Sequence, residues 1–255
     1  MNSSNHFIIA GAQRSGTTML YHLLGHHPAI TMAKPVKPEP KFFLNHGGWT
    51  RGYDYYREKY FKDAAAVQWY GEKTTIYMEY ESVPIRIKQV LPDASIIFIL
   101  RNPVFRAISN YYFSVKNKLE TRSIQEVFIQ QTPPVKISQD LSASPFNYIE
   151  RGYYEKYLKN YFHYFPENRV KVVILEKLPS EDKKELFSLF NFLNIQPGKD
   201  YRKFLKGSIN SNMIDYFNKE LFPVLDELKR IYQPSVENLE DYLGRDLSVW
   251  KRELQ

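Results

Sequence analysis

Three apolar runs stand out along the chain. Phe7-Ile8-Ile9-Ala10 is ended by Gly11 and predicts a buried strand. Ser95-Ile96-Ile97-Phe98-Ile99-Leu100 predicts a second, rich in β-branched residues and without polar alternation. Val170-Lys171-Val172-Val173-Ile174-Leu175 predicts a third. Between these runs the apolar period lengthens. Thr17 to Gly25 carries a stripe of Met19, Leu20, Leu23 and Leu24, which predicts a helix. Val104 to Val115 predicts another, with Pro103 placed for its first turn. Tyr153 to Phe165 and Glu181 to Leu193 read as helices, as does the chain from about Glu220 to near Trp250. Ala65 to Tyr70 is a candidate further strand. Apolar strands alternating with helices imply an α/β fold with a parallel β-sheet flanked by helices. No repeat, low-complexity tract or linker divides the chain, so residues 1–255 read as one domain. Pro35-Val36-Lys37-Pro38-Glu39-Pro40 reads as a stiff loop, and Thr132 to Pro145 as a longer irregular insertion.

Composition narrows the class. The 17 Phe, 20 Tyr and 3 Trp exclude disorder as the main state. The absence of cysteine excludes disulfides, thiolate nucleophiles and Cys-based metal sites, and it fits a reducing compartment. The longest apolar stretch, Ala94 to Leu100, is far short of the ~20 residues of a spanning helix. The start Met1-Asn2-Ser3-Ser4-Asn5-His6 is polar and lacks a basic n-region. The expectation is a soluble, cytoplasmic protein with no membrane partner. Its net charge of +7 fits either an anionic ligand or a surface kept soluble by charge.

The strongest local signal is Gly11-Ala12-Gln13-Arg14-Ser15-Gly16-Thr17-Thr18, placed between a predicted strand and a predicted helix. Such a loop aims backbone N–H groups and a helix N-terminus at an anion. The spacing is that of a Walker A loop, but Thr17-Thr18 stands where Lys-Ser/Thr would follow Gly16. The lysine that reaches the β- and γ-phosphates is missing, and a cation sits inside the loop at Arg14 instead. This argues against an ATPase or GTPase. The plain alternative is a glycine-rich turn without a ligand. A second element is Arg101-Asn102-Pro103 at the carboxyl end of the Ser95–Leu100 run, with Ser109 two helical turns further on. Ligands of open α/β sheets gather at strand carboxyl ends, and an arginine fork with a hydroxyl suits a second phosphate. Alone, Arg101 reads equally well as a capping or salt-bridging residue.

Together the two elements resemble the sulfotransferases that use 3′-phosphoadenosine 5′-phosphosulfate (PAPS). Gln13-Arg14-Ser15-Gly16-Thr17-Thr18 is similar to the family's 5′-phosphosulfate loop, and Arg101 with Ser109 to its 3′-phosphate element. Five further segments resemble the heparan-type carbohydrate branch and its bacterial relatives, in that branch's order. They are His27-Pro28, Glu39-Pro40-Lys41-Phe42-Phe43, Gly71-Glu72-Lys73-Thr74, Leu91-Pro92-Asp93-Ala94 and Arg151-Gly152-Tyr153-Tyr154. The similarity runs from about Phe7 to about Leu193. It implies a P-loop-like PAPS sulfotransferase fold, with PAPS as co-substrate and no metal.

The resemblance also implies roles. Arg14, Ser15, Gly16, Thr17 and Thr18 would hold the phosphosulfate, and Arg101, Ser109 and Tyr153 the rest of the nucleotide. Arg14 stands where the family usually has lysine, which keeps the charge but not an ammonium's capacity to give up a proton. The C-terminal PAPS loop matches poorly, with Lys206-Gly207-Ser208 as the best candidate. Glu39 occupies the position of the branch's general base, and Lys73 that of a lysine near the reacting groups. Without the resemblance, Glu39 reads as a solvated acid between prolines, and His46 is the rival base. His22 is expected on the first helix's surface, with His26 and His27 near its C-terminus. Of Trp49, Tyr53, Tyr55, Tyr56, Tyr60, Phe61 and Trp69, most read as packing aromatics, although such rings also stack on sugars.

The expected activity is sulfuryl transfer to a hydroxyl, or an amine, of a carbohydrate or small metabolite, in a setting such as natural product biosynthesis. A P-loop kinase-like enzyme and a non-catalytic polyanion-binding module are the alternatives. The scattered basic residues show no stripe or helix-turn-helix signature, so no nucleic-acid partner is expected.

Overall fold

The structure, a computed structural model, describes residues 5–46, 48–62, 64–134, 144–198, 201–206 and 219–252. In chain order the main elements begin with β1 (Asn5–Gly11), α1 (Thr17–Gly25), β2 (Ile30–Met32), α2 (Gly52–Phe61) and β3 (Trp69–Lys73). There follow α3 (Val83–Val90), β4 (Ser95–Leu100), α4 (Pro103–Lys116), α5 (Ile124–Phe128) and α6 (Tyr154–Tyr164). The last are β5 (Val170–Ile174), α7 (Lys184–Phe192), α8 (Arg202–Lys206), α9 (Phe222–Leu243) and α10 (Ser248–Arg252). The chain divides into two compact units, Met1–Leu100 with Lys156–Ile209 and Arg101–Glu155 with Asn210–Gln255.

The first unit holds a five-stranded, all-parallel sheet in the order β2-β3-β1-β4-β5. The three apolar runs are β1, β4 and β5, nearly residue for residue. Because strand side chains alternate between faces, Phe7, Ile9, Ile97, Ile99 and Val173 share one face. They pack with Leu20, Leu23 and Leu24 of α1 and Leu186, Leu189 and Phe190 of α7. On the other face Phe98 meets Tyr161 of α6 edge-on, with ring centroids 4.8 Å apart. Helices therefore cover both faces, as the runs without polar alternation require.

The candidate strand at Ala65 to Tyr70 is displaced. β3 begins at Trp69 and runs through Glu72 and Lys73, residues that read as polar and strand-ending, although all five of its residues are buried. Gly71 is demanded there. A Cβ on it would lie 2.3 Å from the Phe7 ring and 2.4 Å from the Met32 sulfur. The edge strand β2 and the helices α2, α3, α5 and α8 carry no sequence prediction. In α2, Tyr56, Tyr60 and Phe61 are buried, as is Trp69 in β3, whereas Trp49, Tyr53 and Tyr55 keep exposed surface.

In the second unit, α9 buries the stripe Val224, Leu225, Leu228, Tyr232, Val236 and Leu239. Asn102 caps α4 by accepting from Val104 N–H at 3.0 Å, and its amide donates to Trp250 O at 3.0 Å. Within the irregular stretch from Thr132 to Pro145, residues 135–143 lie outside the described residues.

Candidate functional site

The loop between β1 and α1 is shaped by backbone. Ala12 N–H donates to Ile99 O at 2.9 Å, which ties the loop to β4, and Ser15 N–H closes a turn onto Ala12 O at 3.2 Å. Arg14 (φ 68°) and Gly16 (φ 88°) are both left-handed. A Cβ on Gly16 would meet Leu175 Cδ1 at 2.9 Å. No side chain caps α1, and its first internal bond is Leu20 N–H to Gly16 O at 3.0 Å. The amides that open the helix are thus left for an outside acceptor. Two side-chain oxygens of the loop, Ser15 Oγ and Gln13 Oε1, are buried without a hydrogen-bond partner among the described residues. Such orphans are unusual in native proteins and mark a place where a further group belongs. Ser15 Oγ can donate to an anion whereas Gln13 Oε1 only accepts, so it is the Ser15 hydroxyl, with the open helix amides, that fits a phosphate or phosphosulfate. Thr17 is buried, Arg14 and Gly16 are half-buried, and Thr18 is exposed.

Beside this loop lies an ion pair that joins residues distant in sequence. Lys73 ends β3 in register with Ile9 of β1, and Thr74 N–H donates to Ile9 O at 3.1 Å. Lys73 Nζ stands 2.5 Å from Glu39 Oε1, with side-chain exposures of 3% and 16%. Thr75 completes the grip on Glu39, through its N–H to Oε2 at 2.9 Å and its hydroxyl to both oxygens at 3.1 and 3.2 Å. Glu39 is thus a held carboxylate, not the solvated acid its prolines suggest. An ionised carboxylate offers about four acceptor positions, so these contacts leave capacity for a further proton donor. His46 is exposed.

Glu72, adjacent to Lys73 and facing the opposite side of the sheet, is fully buried. It accepts from Tyr77 Oη at 2.7 Å, Tyr56 Oη at 2.8 Å and Thr74 Oγ1 at 2.9 Å. Burial pushes its carboxyl up to about 7. The three hydroxyls oppose that rise, and the charge of Glu39 adds to it. The same carboxylate raises the Tyr56 and Tyr77 phenols, after the larger effect of burial.

Arg101, Ser109 and Tyr153 all belong to the second unit. Arg101 follows β4 directly, and its carbonyl accepts from Tyr154 Oη at 2.7 Å. Ser109 is buried on α4. Tyr153 packs edge-on against Tyr232 at 5.7 Å, and burial followed by the Glu150 charge raises its phenol. Lys206 closes α8, while Gly207 and Ser208 lie outside the described residues. His22 is exposed on α1 and His26 caps its end, as expected, while His27 Nδ1 accepts from Ala29 N–H at 3.1 Å.

The first unit thus brings together the loop, Glu39 and Lys73. Sequence reasoning gave no role to Glu72, Thr75 or Gln13. The available signal was Glu72-Lys73-Thr74-Thr75 at a strand end, an acid, a base and two hydroxyls in succession. No cluster of three or more His, Asp or Glu placed to hold a metal ion is found among the described residues. No helix among them is long and apolar enough to cross a membrane.

Comparison with known proteins agrees with this architecture. The sulfotransferase domain family matches residues 4–216. The human bifunctional heparan sulfate N-deacetylase/N-sulfotransferase 2 is 29% identical over 210 residues, covering 78% of this chain. The match spans only 23% of that relative's own length. The mouse heparan sulfate glucosamine 3-O-sulfotransferase 5 is 27% identical over 263 residues, covering 94% of this chain and 72% of that protein. A crystal structure of a sulfotransferase from Alicyclobacillus acidocaldarius superposes with a TM-score of 0.72 at 25% identity. The superposition covers 96% of this chain and 98% of that one. The resemblance carried by the two phosphate-loop motifs is borne out, and with it the parallel α/β fold. The chain belongs to the sulfotransferase domain family, a family of transferase enzymes.

Proposed function

We propose that this protein transfers a sulfuryl group from PAPS to a hydroxyl or amine of a carbohydrate or small metabolite. The observation that carries the reading is the Glu39–Lys73 pair, held at the end of β3 in register with the strand that leads into a loop with an unpartnered buried Ser15 hydroxyl. When bound, PAPS supplies a sulfuryl group already activated by a phosphate leaving group. Arg14 and the amides from Ser15 to Thr18 bind and neutralise the phosphosulfate. Arg101, Ser109 and Tyr153 are assigned to the nucleotide's 3′-phosphate side, with Lys206 and Gly207 as further contacts. Glu39 takes the proton from the acceptor as the acceptor oxygen or nitrogen bonds to sulfur. The bond from sulfur to the phosphate oxygen breaks in line with it. Lys73 orients Glu39 and stabilises the negative charge spread over the transferring group. No metal enters the scheme.

The acceptor class rests on the relatives, whose names specify N- and 3-O-sulfation of heparan sulfate, an amine and a hydroxyl of a sugar. A compact polar intermediate of natural product biosynthesis offers the same groups. The missing lysine after Gly16 counts against the kinase-like alternative. The test is release of 3′-phosphoadenosine 5′-phosphate (PAP) from PAPS in the presence of N-desulfated heparan oligosaccharide, glucosamine and 4-nitrophenol, with ATP turnover alongside. PAP release stimulated by an acceptor supports the proposal. ATP turnover without PAPS turnover overturns it.

A further inference from the structure

Glu72 touches neither the loop nor the Glu39 carboxylate, yet its bonds converge on the segment that carries Glu39. Two of the three hydroxyls that donate to Glu72 also accept a backbone N–H from that segment. Thr74 Oγ1 accepts from Lys41 N–H at 3.1 Å, and Tyr77 Oη accepts from Phe43 N–H at 3.1 Å. Each hydroxyl has one proton and, with it committed to Glu72, its lone pairs are turned toward the amides. The third donor, Tyr56, packs its ring against Phe42 and Phe43 at 4.9 and 5.7 Å. Tyr60 adds a bond from its hydroxyl to Pro40 O at 3.1 Å. Residues 40 to 43 are therefore fastened to the turn after β3 and to α2, and Thr75 of the same turn grips Glu39 itself.

We propose that Glu72 is a positioning residue for sulfuryl transfer, fixing Glu39 through Thr74 and Tyr77 by setting the direction of their hydroxyl protons. The proposal rests on the reading of Glu39 as the general base. Burial of a carboxylate is costly unless it is hydrogen-bonded, and Glu72 accepts three such bonds. Here that arrangement gives a rigid mount, of the kind a base aligned with a transferring group needs. The raised carboxyl of Glu72 fits a group buried for its geometry.

Replacing Glu72 risks the fold, so the decisive variants are Thr74→Val, Tyr77→Phe and Thr74→Ser. Two readouts need no known acceptor. These are hydrogen exchange of the Lys41 and Phe43 amides, and PAP release from PAPS with water as acceptor. The PAP dissociation constant reports an intact nucleotide loop. Thr74→Val is expected to speed Lys41 exchange at least tenfold and Tyr77→Phe to do the same for Phe43. Both should lower PAP release roughly tenfold to a hundredfold, in line with sub-ångström misplacement of a catalytic group. PAP affinity should stay within about twofold, and Thr74→Ser should restore exchange and turnover to near the unmodified level. Unchanged exchange in both variants overturns the proposal. Faster exchange with unchanged PAP release overturns it too, because Glu72 would then hold the segment without positioning the base. If the unmodified protein neither binds PAP nor turns over PAPS, the proposed function fails instead, and exchange still reports whether the hydroxyl bridges exist.

Discussion

Replacing Lys73 by methionine removes the ammonium and keeps most of the side-chain volume. The perturbed contact is 2.5 Å long, between side chains only 3% and 16% exposed. Breaking a buried pair from one side strands the other charge, which typically costs about 3–5 kcal/mol. Glu39 keeps its bonds from Thr75, so the lower end applies, about 3 kcal/mol. In a chain of this size each kcal/mol moves the melting temperature by about 2–4 °C, so Lys73→Met should melt about 6–12 °C lower. Glu39→Gln alone leaves the lysine buried without its carboxylate and should also destabilise. The double variant contains no stranded charge. Its loss should fall short of the summed single losses by about 2–3 kcal/mol. The assay is thermal and urea unfolding of the four proteins at one pH and salt concentration. Single effects that add within about 0.5 kcal/mol, with a melting shift in Lys73→Met below about 2 °C, would mean that the buried pair contributes no coupled stability.

Three further outcomes are expected. Glu39→Gln should lower kcat at least about a hundredfold while the PAP dissociation constant stays within about twofold, and normal turnover would move the base assignment to His46. Arg14→Ala and Arg101→Ala should each weaken PAP binding roughly tenfold to a hundredfold in calorimetric titration, the worth of a charge-assisted bond to phosphate. Glu72 binds its proton more tightly folded, with a pKa of about 7, than unfolded, near 4.5. Raising the pH through that window should cost about 3 kcal/mol of stability from this group. Glu72→Gln cannot ionise and should flatten urea-derived stability between pH 4.5 and 7, whereas parallel curves would contradict the assignment.

The parts of the fold legible in sequence are those specified locally. β1, its loop and α1 are written in one stretch: an apolar run, a glycine where a tight turn comes, and a helical stripe. β4, Arg101 and α4 are equally continuous, with Pro103 marking the first turn. β3 escapes the sequence because its polar half reads as a turn. Glu72 is tolerated in a buried strand only through Tyr56, Thr74 and Tyr77, and Lys73 only through Glu39, 34 residues away. Nothing in a local window announces those partners. The three-residue β2 gives too short a pattern to detect. α2 hides its buried face among tyrosines and charges, and it has no side-chain cap. Resemblance singles out Glu39 and Lys73, but nothing local to either shows that they meet.

The proposed function requires that the protein bind a nucleotide carrying phosphate at both its 5′ and 3′ positions. The most direct measurement is calorimetric titration with PAP beside ADP and ATP. Saturable PAP binding is expected, lost or weakened at least tenfold when the 3′-phosphate is missing. Equal or tighter binding of ATP, or no nucleotide binding by folded protein, would contradict it.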